Sequence, residues 1–159
     1  MKKRYFIIFS LILILPSCTA PLPGAPALPQ IFNANFTMAA GGITYEGNIN
    51  CLTYDDISAE FASPENVRGL KVIYSDGAYK LQMIDVSSEQ PGTDFMPAGF
   101  IEAMRSLLYS NDATYIKTEE SVEYSGKVDD MEYKARQDAE TGGITDLSIP
   151  KYNLICKFS

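Results

Sequence analysis

A chain of 159 residues with 20 acidic and 13 basic side chains carries a formal charge of −7 and contains no histidine. The acidity argues against nucleic acid and anionic bilayer surfaces as electrostatic partners. The missing imidazole removes the commonest general base and metal ligand.

The first element is a targeting segment. Lys2, Lys3 and Arg4 precede an apolar run over residues 5–15, interrupted by Ser10 and ended by Pro16. About eleven residues are too few for a bilayer span, which takes ~20. A basic start before a short apolar core is the pattern of a secretory signal peptide. Leu15-Pro16-Ser17-Cys18 resembles the bacterial lipobox, with an aliphatic residue at −3, a small one at −1 and Pro16 between them. That resemblance implies a lipoprotein signal peptide over residues 1–17, cleavage before Cys18 and fatty acylation at Cys18. The membrane is then a partner through a lipid anchor, and the expected location is the extracytoplasmic face of the cell membrane. The other reading is ordinary cleavage after Ala20, which releases a soluble protein. Without Lys2, Lys3 and Arg4 the remainder keeps 10 basic and 20 acidic residues, a net charge of about −10.

Residues 18–30 read as the lipidated cysteine and a proline-rich stalk. "TAPLPGAPALPQ" contains four prolines, and an extended polyproline path at about 3.1 Å per residue reaches ~35 Å. Residues 31–159 follow as one folded domain, long enough for a real core.

That domain reads as strands punctuated by turns. "IFNANFTMA" alternates Phe32, Ala34, Phe36 and Met38 with polar residues; "ITYEGNINCLTY" places Ile43, Tyr45, Ile49 and Cys51 on one face. "DDISAEFASP" follows, then "GLKVIYS" and "AYKLQMIDV" around Asp76-Gly77, a hairpin signal because glycine accepts positive φ. "FMPAGFIEAMRSLLYS" breaks the alternation: Met96, Phe100, Met104 and Leu107 form a stripe, with Glu102, Arg105 and Ser106 on the other side. This predicts an amphipathic helix over roughly residues 97–109. "ATYIKTEESVEYSGKV", "MEYKARQ", "ITDLSI" and "YNLICKFS" complete the order as further strands. The class is α+β and mainly antiparallel β, with about eight or nine strands and one inserted helix.

The stretch "ITYEGNINCLTYDDISAEFASPENVRGLKVIYSDGAYKLQM", the helix, and "YSGKVDDMEYKARQDAETGGITDLSIP" together resemble small clostridial-type lipoproteins. The shared pattern is a strand ending in "SP", a "GL" opening the next, and a late "D…TGG…I". Those proteins resemble the lipoprotein-carrier (LolA-like) fold. The resemblance implies a curved half-barrel sheet with the helix on its concave face, where Met96, Phe100, Met104 and Leu107 would lie. It departs at the start, where carriers have a long helix and this chain enters a strand directly.

No enzyme is visible. No phosphate loop follows a strand and no zinc spacing of cysteines occurs, so no cofactor is expected. Ser148-Ile149-Pro150-Lys151 spells S-x-x-K, but Pro150 sets it at a strand end rather than a helix start. Asp55-Asp56 and Asp129-Asp130 lack the alternating oxygen ligands of a calcium loop and read as turns. Cys51 and Cys156 each fall on an apolar strand face; two buried thiols are the expectation, a disulfide the alternative. The function expected is non-enzymatic: a membrane-anchored lipoprotein binding an apolar ligand or acyl chain in its half-barrel. The alternative is a protein-interaction or envelope and sporulation regulatory module with a filled core, as similar folds serve in envelope-stress sensing and in spore-germination lipoproteins. No nucleic acid partner is expected.

Overall fold

The computed structural model describes residues 27–83, 86–90 and 95–159, so Cys18 and most of the stalk lie outside the described residues. Five hairpin connections carry the chain through β1 (Phe32–Ala40), β2 (Ile43–Thr53), β3 (Asp56–Ser63), β4 (Leu70–Ser75), β5 (Ala78–Met83) and β6 (Val86–Gln90). The helix α1 (Met96–Tyr109) follows. β7 (Thr114–Lys117), β8 (Ser121–Val128), β9 (Met131–Asp138), β10 (Ile144–Ile149) and β11 (Leu154–Phe158) then step back. All neighbours are antiparallel, and the sheet order is β6-β5-β4-β3-β2-β1-β11-β10-β9-β8-β7.

That order has a consequence for α1. The first and last strands meet mid-sheet, with Met38 opposite Cys156. The two edges, β6 and β7, are the strands α1 joins in sequence, so the connection must pass from one edge to the other across one face. Alternation decides which face. Phe36, Met38, Ile49, Cys51, Ile57, Phe61, Val72, Leu147 and Cys156 are all buried, whereas Asn33, Asn35, Thr37, Glu46, Asn48 and Glu60 point to solvent. A helix rich in apolar residues covers the first set.

Tight turns fix the register. Ala40 pairs with Ile43 around Gly41 (φ 57°) and Gly42 (φ 83°), and Ser75 with Ala78 around Asp76 (φ 52°) and Gly77 (φ 78°). Paired positive φ values give the twist that a two-residue hairpin needs. Asp129 also adopts positive φ (52°) in the β8–β9 turn, so that acidic pair serves as turn chemistry.

The curved antiparallel sheet with one inserted helix is the expected fold class, but among the described residues it has eleven strands rather than eight or nine. β6 is one addition; its sequence, VSSEQ, carries no apolar alternation to announce a strand. The other comes from "ATYIKTEESVEYSGKV", which is two strands. Thr118 turns the chain there: its N–H donates to the Ser121 carbonyl (2.8 Å) and its Oγ1 accepts from the Ser121 N–H (3.0 Å). A second difference concerns residues 27–30, which the proline pattern assigns to the stalk. Leu28 packs against the core and the Gln30 carbonyl accepts a 2.9 Å bond from the Tyr109 hydroxyl, so these residues belong to the folded unit.

Candidate functional site on the concave face

A ligand in a half-barrel of this kind would occupy the concave face, and α1 occupies it instead. Met96 and Pro97 open the helix, where a proline lacks no needed donor. Residues 98–104 are then buried without interruption, followed by Leu107. Phe100 and Met104 are 0% exposed. The Phe100 ring sits 5.4 Å from that of Phe36 and 6.4 Å from that of Phe158, reaching the two central strands. Met96 is half-buried at the helix start. Gly99 lets this start approach Tyr152, since a Cβ there would lie 2.3 Å from the tyrosine ring.

The stripe is buried as an amphipathic helix requires, and Glu102 from the opposite side is buried with it. The helical spacing puts Glu102 on a polar side with Arg105 and Ser106, yet it is 5% exposed. A helix wrapped by a curved sheet has no fully solvated side, so its polar residues need partners. Glu102 has them: the Tyr79 hydroxyl donates to it, and Arg105 donates from Nε (3.0 and 3.1 Å) and from Nη2. The Arg105 guanidinium lies between two rings, 4.3 Å from the centre of Tyr54 and 4.9 Å from that of Tyr74. Burial works against the Arg105 charge, but the bond to Glu102 and its field outweigh it and hold the pKa above the ordinary guanidinium value. Burial, reinforced by the bond to Glu102, pushes the Tyr79 phenol up as well. The result is a closed polar clamp tying α1 to β4, β5 and the β2–β3 turn.

On its outward side the clamp meets a cleft of about 190 Å³ bordered by Tyr54, Arg105, Ser106, Asp112 and Lys127. Both signs of charge line it, and it is open to solvent. Among the described residues no group of three or more acidic or cysteine side chains is placed to hold a metal ion. No described helix is long and apolar enough to cross a membrane. Ser148 lies near the end of β10 and Pro150 opens a 3-10 turn carrying Lys151, so the S-x-x-K string has no helix of the kind its chemistry needs.

Cys51 and Cys156 are both buried free thiols. Cys51 is opposite Phe32 and Cys156 opposite Met38, on different neighbours of β1. Six residues along β1 and two strand spacings put them ~20 Å apart, far beyond the ~7 Å limit for a disulfide. Burial pushes each thiol up to about 12, with the Asp146 carboxylate adding to the effect at Cys156.

The stripe of Met96, Phe100, Met104 and Leu107 is legible from spacing. The clamp is not, although Glu102 and Arg105 stand three apart as helical ion pairs do; nothing local announces that Tyr79, Tyr74 and Tyr54 close around them.

No family model and no curated protein matches this sequence. Among solved structures, the chain is similar to an uncharacterized conserved protein from Thermus thermophilus, with TM-score 0.50 and 8% identity over 79% of this chain and 74% of that one. It is also similar to a LolA superfamily protein from Nitrosomonas europaea (TM-score 0.46, 12% identity), over 77% of this chain and 66% of that one, just under two thirds of its length. A third is the CwlD amidase from Clostridioides difficile in complex with the GerS lipoprotein (TM-score 0.45, 14% identity, 75% of each chain). At these identities the likeness is one of fold: a curved antiparallel sheet holding one inserted helix, as the carrier resemblance implied.

Proposed function

We propose that this chain is a non-enzymatic, lipid-anchored module on the extracytoplasmic face of the membrane, attached through Cys18 and acting on a protein partner through its outer surface. One observation carries the interaction reading over an acyl-chain carrier: residues 98–104 are buried in succession, so the apolar face that would hold an acyl chain is filled by the protein's own helix. An acyl ligand would have to displace Phe100 and Met104, which are 0% exposed. The basic start, short apolar run and lipobox-like Leu15-Pro16-Ser17-Cys18 support the anchor; two acyl chains hold a protein firmly where one holds it marginally.

Thermal unfolding of the purified protein with and without long-chain fatty acid tests the interior. The expected result is no shift in Tm; ligand-dependent stabilisation, or lipid recovered by mass spectrometry, would overturn the filled-core reading. The anchor is tested separately by Cys18→Ala, which should release the protein from membranes and abolish labelling by a fatty-acid probe.

A further inference from the structure

The end of the half-barrel at which the chain enters is closed by residues 27–30, and the closure is slight. Leu28 packs on the core from outside the sheet. Two carbonyls fix the segment. Gln30 accepts from the Tyr109 hydroxyl at 2.9 Å, and Ala27 accepts from Gln137 Nε2 at 3.4 Å. Gln137 is itself 0% exposed and already committed: its Oε1 accepts from Tyr124 (2.9 Å) and its Nε2 donates to the Gly142 carbonyl (2.9 Å). The Ala27 carbonyl thus takes the second N–H of this amide, and at 3.4 Å it is the longest of the amide's three bonds. Residues 27–29 belong to no strand or helix, so no ladder holds them.

Cys51 lies at the same end of the sheet as this segment. It is opposite Phe32, the first residue of β1. Tyr109, whose hydroxyl holds Gln30, also packs its ring 6.3 Å from that of Tyr54, three residues beyond Cys51. Cys156 is opposite Met38 and Leu147, deep in the sheet's middle. The two thiols therefore sample different depths.

We propose that residues 27–30 are a detachable seal on the tether-side end of the half-barrel, and that drawing them away opens the interior beside Cys51 while the core around Cys156 stays closed. The segment is continuous with the proline-rich stalk, so whatever pulls or binds the stalk acts on the seal. The inference stands on the folded domain alone and does not require the lipid.

Thiol labelling tests it in the full-length chain in detergent, with N-ethylmaleimide and peptide mass spectrometry reading Cys51 and Cys156 separately. Leu28→Asp places a charge where an apolar side chain seals. Local opening, not global unfolding, should then govern Cys51, whose labelling is expected to quicken by about tenfold or more while Cys156 is unchanged. Unchanged Cys51 would overturn the proposal. If both thiols quicken together, Tyr109→Phe decides, since it removes only the hydroxyl that holds Gln30. A selective rise at Cys51 then supports the seal, and no selective rise overturns it.

Discussion

The concave and outer faces of this sheet come from the same strands, alternate residues going to each, yet they end in opposite states. Inward residues such as Phe36, Met38, Ile49 and Phe61 are at most 2% exposed beneath α1. Outward residues form a polar surface with asparagines at Asn33, Asn35 and Asn48 and a transverse row of Glu123, Arg136, Asp146 and Lys157 in register across β8 to β11. Apolar side chains on that surface, Ile116 and Ile155, stand apart. Singly exposed aliphatics are ordinary. The contrast separates two roles: the inner face stores folding energy, and the outer face and edges are what a partner can reach. Substitutions should sort accordingly, with large losses of stability inside and small ones outside.

The largest effect is expected at Phe100. Its ring touches those of Phe36 and Phe158 and is fully buried, so Phe100→Ala leaves a cavity and should cost ~3–5 kcal/mol. Urea unfolding measures it through a lower midpoint at unchanged slope. A loss below ~1 kcal/mol would mean that α1 is a lid over space rather than part of the core.

The clamp comes next. Glu102→Leu leaves a buried guanidinium without its carboxylate and should cost about 3 kcal/mol, the lower end for buried pairs because Arg105 keeps some contact with solvent. Adding Arg105→Met should restore most of that loss, since two apolar residues leave no charge to desolvate. A double variant as unstable as the single one would show that the ring contacts to Tyr54 and Tyr74, not the ion pair, hold α1 in place.

These two predictions mark where the sequence is readable. Period-two alternation exposes most strands, the four-four-three spacing exposes the helical stripe, and Asp76-Gly77 exposes its hairpin. Each is a local rule with a short reach. The clamp joins Tyr79 to Glu102 across 23 positions, and the seal joins Gln137 to Ala27 across 110. Such contacts follow from sheet order, which brings first and last strands together, and no window along the chain contains that order. Glu102 shows the cost of local reading: one carboxylate on a helix reads as a solvated face until the sheet curves around it.

The thiols sharpen the comparison through pH. In the unfolded chain they ionise near 9.0; in the folded one Cys51 and Cys156 resist to about 12. Below pH 9 both states keep these protons and stability is unaffected. Above it the unfolded state loses them first, so stability falls as pH rises towards 12, by about 1.4 kcal/mol per thiol at pH 10. Urea midpoints should therefore be level from pH 6 to about pH 8 and decline from about pH 9. In Cys51→Ala/Cys156→Ala the decline should begin nearer pH 10, where tyrosines ionise. Identical profiles for the two proteins would place the titration elsewhere.

The smallest effect belongs to the outer face and completes the contrast with the clamp. Arg136 pairs with Glu123 at 3.3 Å and with Asp146 at 4.0 Å, using the same groups that Arg105 and Glu102 use inside. Here the side chains are 52%, 54% and 37% exposed, so water and salt compete for every charge, and holding long side chains in place costs entropy. Exposed pairs of this kind contribute ~0.2–1 kcal/mol. Arg136→Gln should therefore lower stability by less than ~1 kcal/mol, and the loss should vanish in molar salt, where screening acts within ~3 Å. Glu102→Leu should keep most of its cost at the same salt concentration, because the side chains of Glu102 and Arg105 are 7% and 16% exposed and meet solvent only where they border the cleft. Matching salt dependence for the two variants would mean that the inner pair is as open to solvent as the outer one, and that the helix does not close the concave face.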